Sequence, residues 1–183
     1  MKGFNFGRTK KSDLMIQPNF PVILLAALIP LVVGFVWYNS KVFGAAWMKA
    51  ADINEEKMKG AKMPLIFGLT YLFSVFIGLA LVSLTIHQFS LASIVMNEPG
   101  IRPFDPTSEA GKMVSDFMGR YGTNFRSFKH GALHGTISGF FIALPIIGVN
   151  ALFERKGFKY IAINVGFWIV SLALMGGVIC AFT

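Results

Sequence analysis

The chain reads as an all-α membrane protein: a four-transmembrane-helix bundle with short interfacial helices in both long connections. Three observations predict it. Hydrophobic residues make up 54% of the 183 residues, with a mean hydropathy of +0.60. Charged residues are held to 14%. The apolar residues also fall in four blocks, near 20–38, 64–88, 131–153 and 158–182, each long enough for the about 20 helical residues that cross roughly 30 Å of hydrocarbon. Residues 1–183 are expected to form one integral membrane domain. A single cysteine, Cys180, excludes an intrachain disulfide, and the fold must rest on helix packing. The net charge of +8 does not imply nucleic acid, because the basic residues sit in short segments between apolar blocks. Anionic lipid headgroups of the bilayer are the expected counter-charge.

The first block, FPVILLAALIPLVVGFVWY, carries Pro30 in its middle and closes on Trp37 and Tyr38, whose amphipathic rings favour a membrane interface. A kink is expected near Pro30. The block is too long for a signal-peptide core, and an aromatic pair separates it from the small residues at Gly44 to Ala46, so it is read as a helix that stays in the protein. After it, Phe43, Trp47 and Ala50 share a helical face in an interfacial elbow at about 41–60. Asp52 and Glu55 have the spacing of a capping box for its second turn.

Between the second and third blocks, NEPGIRPFDP is rich in helix breakers, and Asp105 followed by Pro106 predicts the start of a helix over about 106–121. Its apolar face is Met113, Val114, Phe117, Met118 and Tyr121; Glu109, Lys112, Asp116 and Arg120 oppose it. The third and fourth blocks are joined by ERKGFK, a tight hairpin in which Gly157 is placed to take a left-handed cap. Arg155 and Lys156 would complement the helix dipole there. Nine basic residues fall on one side of the predicted membrane and eight on the other, so the positive-inside rule barely discriminates. The basic preface Lys2, Arg8, Lys10 and Lys11 favours both termini in the cytoplasm, with a bacterial inner membrane as the host.

Small residues predict how the blocks pack. Gly131, Gly135, Gly139 and Ala143 recur every four residues, the spacing of a smooth ridge along which a second backbone can approach. Ala162, Gly166, Ala173, Gly177 and Ala181 make a stripe in the fourth block, and Thr70, Ser74 and Gly78 one in the second. Any stripe not used within the bundle would serve a homo-oligomer or a larger membrane complex.

The segments GFVWYNSKVFGAAWMKAADINEE and NALFERKGFKYIAINVGFWIVSLALMGGVI resemble the two ends of a family of small bacterial and fungal membrane proteins, domain of unknown function seventeen sixty-one. The shared features fall on Trp37 and Tyr38, Phe43 and Gly44, Trp47, Asn150, Phe153 and Glu154, and the likeness covers roughly residues 25–90 and 130–182. The resemblance implies a four-helix membrane fold and no particular activity. The chain departs from it in the insert at 97–129 and in its longer N-terminus.

Two constellations are candidates for function. Trp37, Tyr38, Asn39, Trp47, Asn150 and Glu154 are all expected on one membrane side, either as a binding mouth or as an aromatic belt with a capped helix end. In the second reading Glu154 pairs with Lys41, Lys49 or Arg155. Asn150, if buried, needs a partner, and Asn164 is the natural one. On the opposite side, His130 and His134 open the third block and His87 closes the second. Helical spacing would let the first two chelate one ion, with His87 as third ligand and Cys180 as fourth. The absence of HExxH and of paired carboxylates favours the plainer expectation: unmetallated interfacial residues, His130 facing the headgroups and His134 one turn deeper. No cofactor is implied.

These readings predict a non-catalytic accessory or assembly subunit, or a self-associating bundle. A small transporter or permeation unit for an ion or small solute is the second class, opposed by the scarcity of ionisable groups in mid-block. A metal-dependent membrane enzyme comes third, since no nucleophile and base stand at legible spacing.

Overall fold

The computed structural model describes residues 17–183; the basic preface at Lys2, Arg8, Lys10 and Lys11 lies outside them. Helices account for all the regular structure among the described residues, and four are long and apolar enough to cross a membrane. The first spans Phe20–Trp37 and is broken in two: α1 (Phe20–Ala26) and α2 (Ile29–Trp37). Asn19 caps α1 by accepting a hydrogen bond from the Val22 amide at 3.4 Å. The expected break precedes Pro30, at Ala27 and Leu28, because proline has no N–H to continue the ladder and is tolerated only in the first turn of α2.

The elbow that follows is a π-turn at Ser40–Gly44, then α3 (Ala45–Ala51) and α4 (Glu55–Met58). Asp52 does not open a capping box. It ends α3 in the left-handed region, at φ 59°, and Asn54 caps α4 instead, accepting from the Lys57 amide at 2.9 Å. The second span, α5 (Met63–Thr85), stops earlier than the apolar block because Ile86 turns extended and buries itself in the core. A short α6 (Gln88–Ile94) then leads away.

The insert carries α7 (Glu109–Tyr121), whose cap is Ser108 rather than Asp105. The Asp105 carboxylate accepts from the Thr107 amide and hydroxyl, which turns the chain before the helix can start. Val114 is buried with Val95 and Ile101, and Met118 packs on that cluster, while Met113, Phe117 and Tyr121 stay exposed.

The third span comprises α8 (Phe128–Ser138), a π-segment at Gly139–Ala143 and α9 (Leu144–Phe153). Pro145, in the first turn of α9, cannot donate to the preceding turn, and a widened π-turn just before it absorbs the missing bond. The hairpin to α10 (Phe158–Phe182) departs from expectation. Arg155, at φ 56°, takes the left-handed position; Gly157 is extended and precedes α10. Hydrogen bonds from the Lys156 amide to Ala151 O and from the Arg155 amide to Leu152 O complete a Schellman cap.

The fourth span is the hub. Half of its apolar window is buried, against 22%, 22% and 17% for the first three, so the others are arranged around it. Its most extensive partner is α8. A Cβ at Gly131 would collide with the Gly176 carbonyl, one at Gly135 with the Leu172 carbonyl, and one at Gly139 would lie 2.6 Å from Ile169 Cγ1. The glycine ridge of the third span is therefore occupied within the chain. Its counterpart at the first turn is Gly176; Gly177 faces the Phe128 ring, and Gly78 of α5 faces Ile23. Ala143 packs against the main core, in which Ile23, Leu81, Val82, Ile86, Met175, Ile179 and Cys180 are closed off from solvent.

Candidate functional site

The two ends of the bundle have different chemistry. At the end where the first span stops, the elbow and the fourth span are tied by aromatic side chains. The Trp37 indole donates to Ile163 O at 3.0 Å. Tyr38 Oη and Trp47 Nε1 both donate to Asn164 Oδ1, at 3.0 and 3.3 Å, and Asn164 Nδ2 donates to Tyr160 O at 2.8 Å. The rings pack on one another: Trp37 on Phe43 with centroids 4.5 Å apart, Tyr38 edge-on to Trp47 at 5.2 Å, and Tyr38 on Phe167 at 5.3 Å. Gly166 leaves room for the Trp37 ring, which a Cβ there would meet at 2.8 Å.

Three of the six residues expected at this end are thus gathered around Asn164. Asn39 is used locally, its side chain accepting from the Lys41 amide. Asn150 and Glu154 are exposed. The expected Asn150 to Asn164 pair is not formed, because Asn164 points toward the first span and the elbow. Among the described residues the ion pair is Lys57 to Asp52 at 3.4 Å, on the exposed surface, and none includes Glu154. Lys156 reaches across to donate to Ala51 O at 2.6 Å, capping α3 rather than the third span. Beside the aromatic group lies a cleft of about 490 Å³ between the first, second and fourth spans, lined by Gly34, Phe35, Tyr38, Phe67, Thr70 and Phe167 among others.

At the opposite end the three histidines converge. Ser127 starts α8 by accepting from the His130 amide, which sets His130 and His134 one turn apart on a single face. His87, in the break after α5, comes over that face. Its Nε2 is 3.0 Å from His130 Nε2, and the ligand atoms of all three lie within 4.8 Å of one another. His87 is exposed, while His130 and His134 are half-buried. Cys180 stands apart from this group: its buried thiol lies 3.4 Å from Thr85 O and 3.3 Å from Phe125 O.

The frame around the triad is hydrogen-bonded. Gln88 Nε2 donates to Tyr121 O and Asn124 O, at 3.0 and 2.7 Å, and Arg126 Nε donates to Cys180 O at 3.3 Å. Burial pulls the Arg126 guanidinium below its usual pKa, with Cys180 opposing. A cavity of about 340 Å³ opens beside His87, walled by Gln88, Leu91, Phe117, Tyr121, Asn124 and Phe125. Of the residues that shape this end, Phe117 and Tyr121 are marked by the apolar face of their helix, whereas Gln88, Leu91, Asn124 and Phe125 carry no local sequence signal.

The fold defines the class: a chain that is all-α among the described residues, with four principal helices long and apolar enough to span a membrane, arranged around the fourth. Within that class the chain belongs to the family described as protein of unknown function (DUF1761), whose model matches residues 21–180. The bounds of that match enclose the insert at 97–129. No curated protein and no solved structure matches the chain.

Proposed function

We propose that the protein is an integral membrane protein working through its outer surfaces, as a non-catalytic accessory or assembly subunit or a self-associating bundle. The observation that carries this reading is the fate of the polar groups inside the spans. Thr70 donates to Ile66 O, Ser74 to Thr70 O, Thr136 to Ala132 O and Ser138 to His134 O, each closing on its own helix, while the Ser171 hydroxyl is enclosed in the core of α10 without a partner and opens on no path. Asn164 is consumed by Tyr38, Trp47 and Tyr160. The four spans contain no carboxylate, and their only Lys or Arg residues are Lys129 and Lys159, each in a first turn. A permeation path needs polar or ionisable groups facing a route near the midplane. What the first and third spans turn outward is mainly apolar and aromatic, with Phe35 73% and Phe141 78% exposed, and the exposed polar residues Lys129 and Asn150 lie toward the two ends of the third.

Purified protein in proteoliposomes carrying proton- and potassium-sensitive dyes should give traces identical to protein-free vesicles. In native membranes, a photo-crosslinking residue at position 35 or 141 should form an adduct of one discrete mass, with another protein or a second copy. Dye flux that scales with the amount of protein overturns the reading in favour of permeation. Adducts to lipid alone at both positions overturn it as well.

A further inference from the structure

We propose that His87, His130 and His134 bind one divalent first-row transition metal of the zinc class, leaving an open coordination position toward the cavity beside α7. This goes beyond the surface-acting role and does not depend on it.

Geometry is the first argument. With metal to nitrogen bonds of about 2.0–2.1 Å, the nitrogens of a tetrahedral site stand about 3.3 Å apart. The triad already brings all its ligand atoms within 4.8 Å, with the His87 and His130 Nε2 atoms at 3.0 Å. Ring centroids separated by 4.9, 4.9 and 4.5 Å leave the adjustment to small side-chain rotations.

The second argument is preorganisation. His130 and His134 ride on a helix whose adjoining face, about 100° round, is locked to α10 by Gly131 and Gly135. His87 follows a turn whose neighbour, Ile86, is completely buried, and Thr85 O is met by the Cys180 thiol. The ligands therefore approach from two elements fixed to the same hub, and only side-chain freedom is lost on binding.

The third argument is unused capacity. Three imidazoles hold six ring nitrogens, yet one hydrogen bond, His87 to His130, joins the rings. Neutral imidazole is a good ligand for zinc, copper, nickel and cobalt, whereas magnesium and calcium require oxygen donors, and the triad offers none. Three histidines leave a tetrahedral ion one position short, the arrangement of sites that bind water or an exogenous ligand. The cavity of about 340 Å³ at His87 gives that position room, with the Tyr121 and Phe117 rings as its wall.

The test uses tag-free, full-length protein in detergent, stripped with chelator and titrated with zinc ion alone by calorimetry, with elemental analysis of the dialysed product. One zinc per chain is expected. His87→Gln, His130→Gln and His134→Gln should each weaken binding by at least about tenfold, consistent with the loss of one of three ligands. Cobalt(II) loaded in place of zinc should show the intense visible bands of a tetrahedral site in the parent and lose them in each variant. Thermal unfolding of the stripped variants should match the stripped parent, which separates lost ligation from lost fold. Zinc should raise the unfolding temperature of the parent by more than that of any single variant at the same concentration. Binding that persists unchanged in the double variant His130→Gln/His134→Gln, or a parent that retains no zinc, overturns the proposal.

Discussion

Replacing Gly135 by alanine tests the central packing contact with the smallest possible change. The new Cβ would sit 2.8 Å from Ala173 Cα and closer still to the Leu172 carbonyl oxygen. Carbon atoms prefer about 3.5–4.0 Å, so α8 and α10 must separate by close to 1 Å at that level. Both colliding groups on α10 are backbone, and no rotamer change relieves them. Overpacking of this kind costs about 1–3 kcal/mol, and the upper end applies where backbone must move. Alanine recovers about 1 kcal/mol through helix propensity. The net loss is therefore about 2 kcal/mol, or about 4–8 °C for a chain of this size. Gly148→Ala is the matched control: it lies in α9 of the same span with no atom within 4 Å of the added Cβ, so it should be neutral or slightly stabilising. Thermal and SDS unfolding in mild detergent, followed by tryptophan emission, would read both. Equal stability of the two variants would show that the α8 to α10 contact is not as close as the geometry requires.

Asn164→Leu should lose about 1–2 kcal/mol, since it strands Tyr38 Oη and Trp47 Nε1, and interhelical polar contacts of this kind contribute about 0.6–2 kcal/mol. An unchanged SDS unfolding midpoint would count against the aromatic lock. Arg155→Gly should stabilise by about 1 kcal/mol, because glycine takes the left-handed cap position without the strain of a side chain; a lower unfolding midpoint would refute that assignment of the cap. Cys180, with no exposed surface, should resist a soluble maleimide in folded protein and react fully after denaturation; rapid labelling of the native protein would contradict its burial among Thr85, Phe125 and Gly131.

The four spans were legible because hydrophobic length is a property of each block by itself. Their ends were not, because each is decided by a competition with distant atoms. The second span stops at Thr85 since Ile86 gains more by turning into the core than by continuing the helix. The third begins at Phe128, before its apolar run, because Ser127 supplies the cap. The hairpin put Arg155, not Gly157, in the left-handed position once α9 ended at Phe153, and that end depends on packing. The glycine ridge at 131, 135 and 139 could be read from spacing, but whether Gly176 or Gly177 faces it depends on the rotation of α10. The same limit applies to the sites. His130 and His134 are one turn apart by arithmetic, whereas His87 joins them only because α5 breaks where it does. The need for a partner assigned to Asn150 rested on its burial; Asn150 is exposed, and Asn164 is held instead by Tyr38 and Trp47.

The ends of α10 therefore carry separable properties. Near Asn164 the polar side chains of the aromatic lock are satisfied by one another or by backbone, the condition of a structural fastening. Near Cys180 the helix supports a triad whose nitrogens are only partly used. Residues 164 and 180 are roughly 24 Å apart along the axis at 1.5 Å per residue. Between them α10 is unbroken and clamped to α8 by backbone contacts at Gly131 and Gly135. A lesion confined to the lock has no shared partner with the histidines, so the two effects should add independently. Asn164→Leu should lower the unfolding midpoint while leaving zinc stoichiometry and affinity at the parent value; Gly135→Ala, which shifts the helix that carries His130 and His134, should reduce both. If Asn164→Leu abolished zinc binding in protein that remained folded, the aromatic lock and the triad would have to be parts of one coupled site rather than a fastening and a separate binding end.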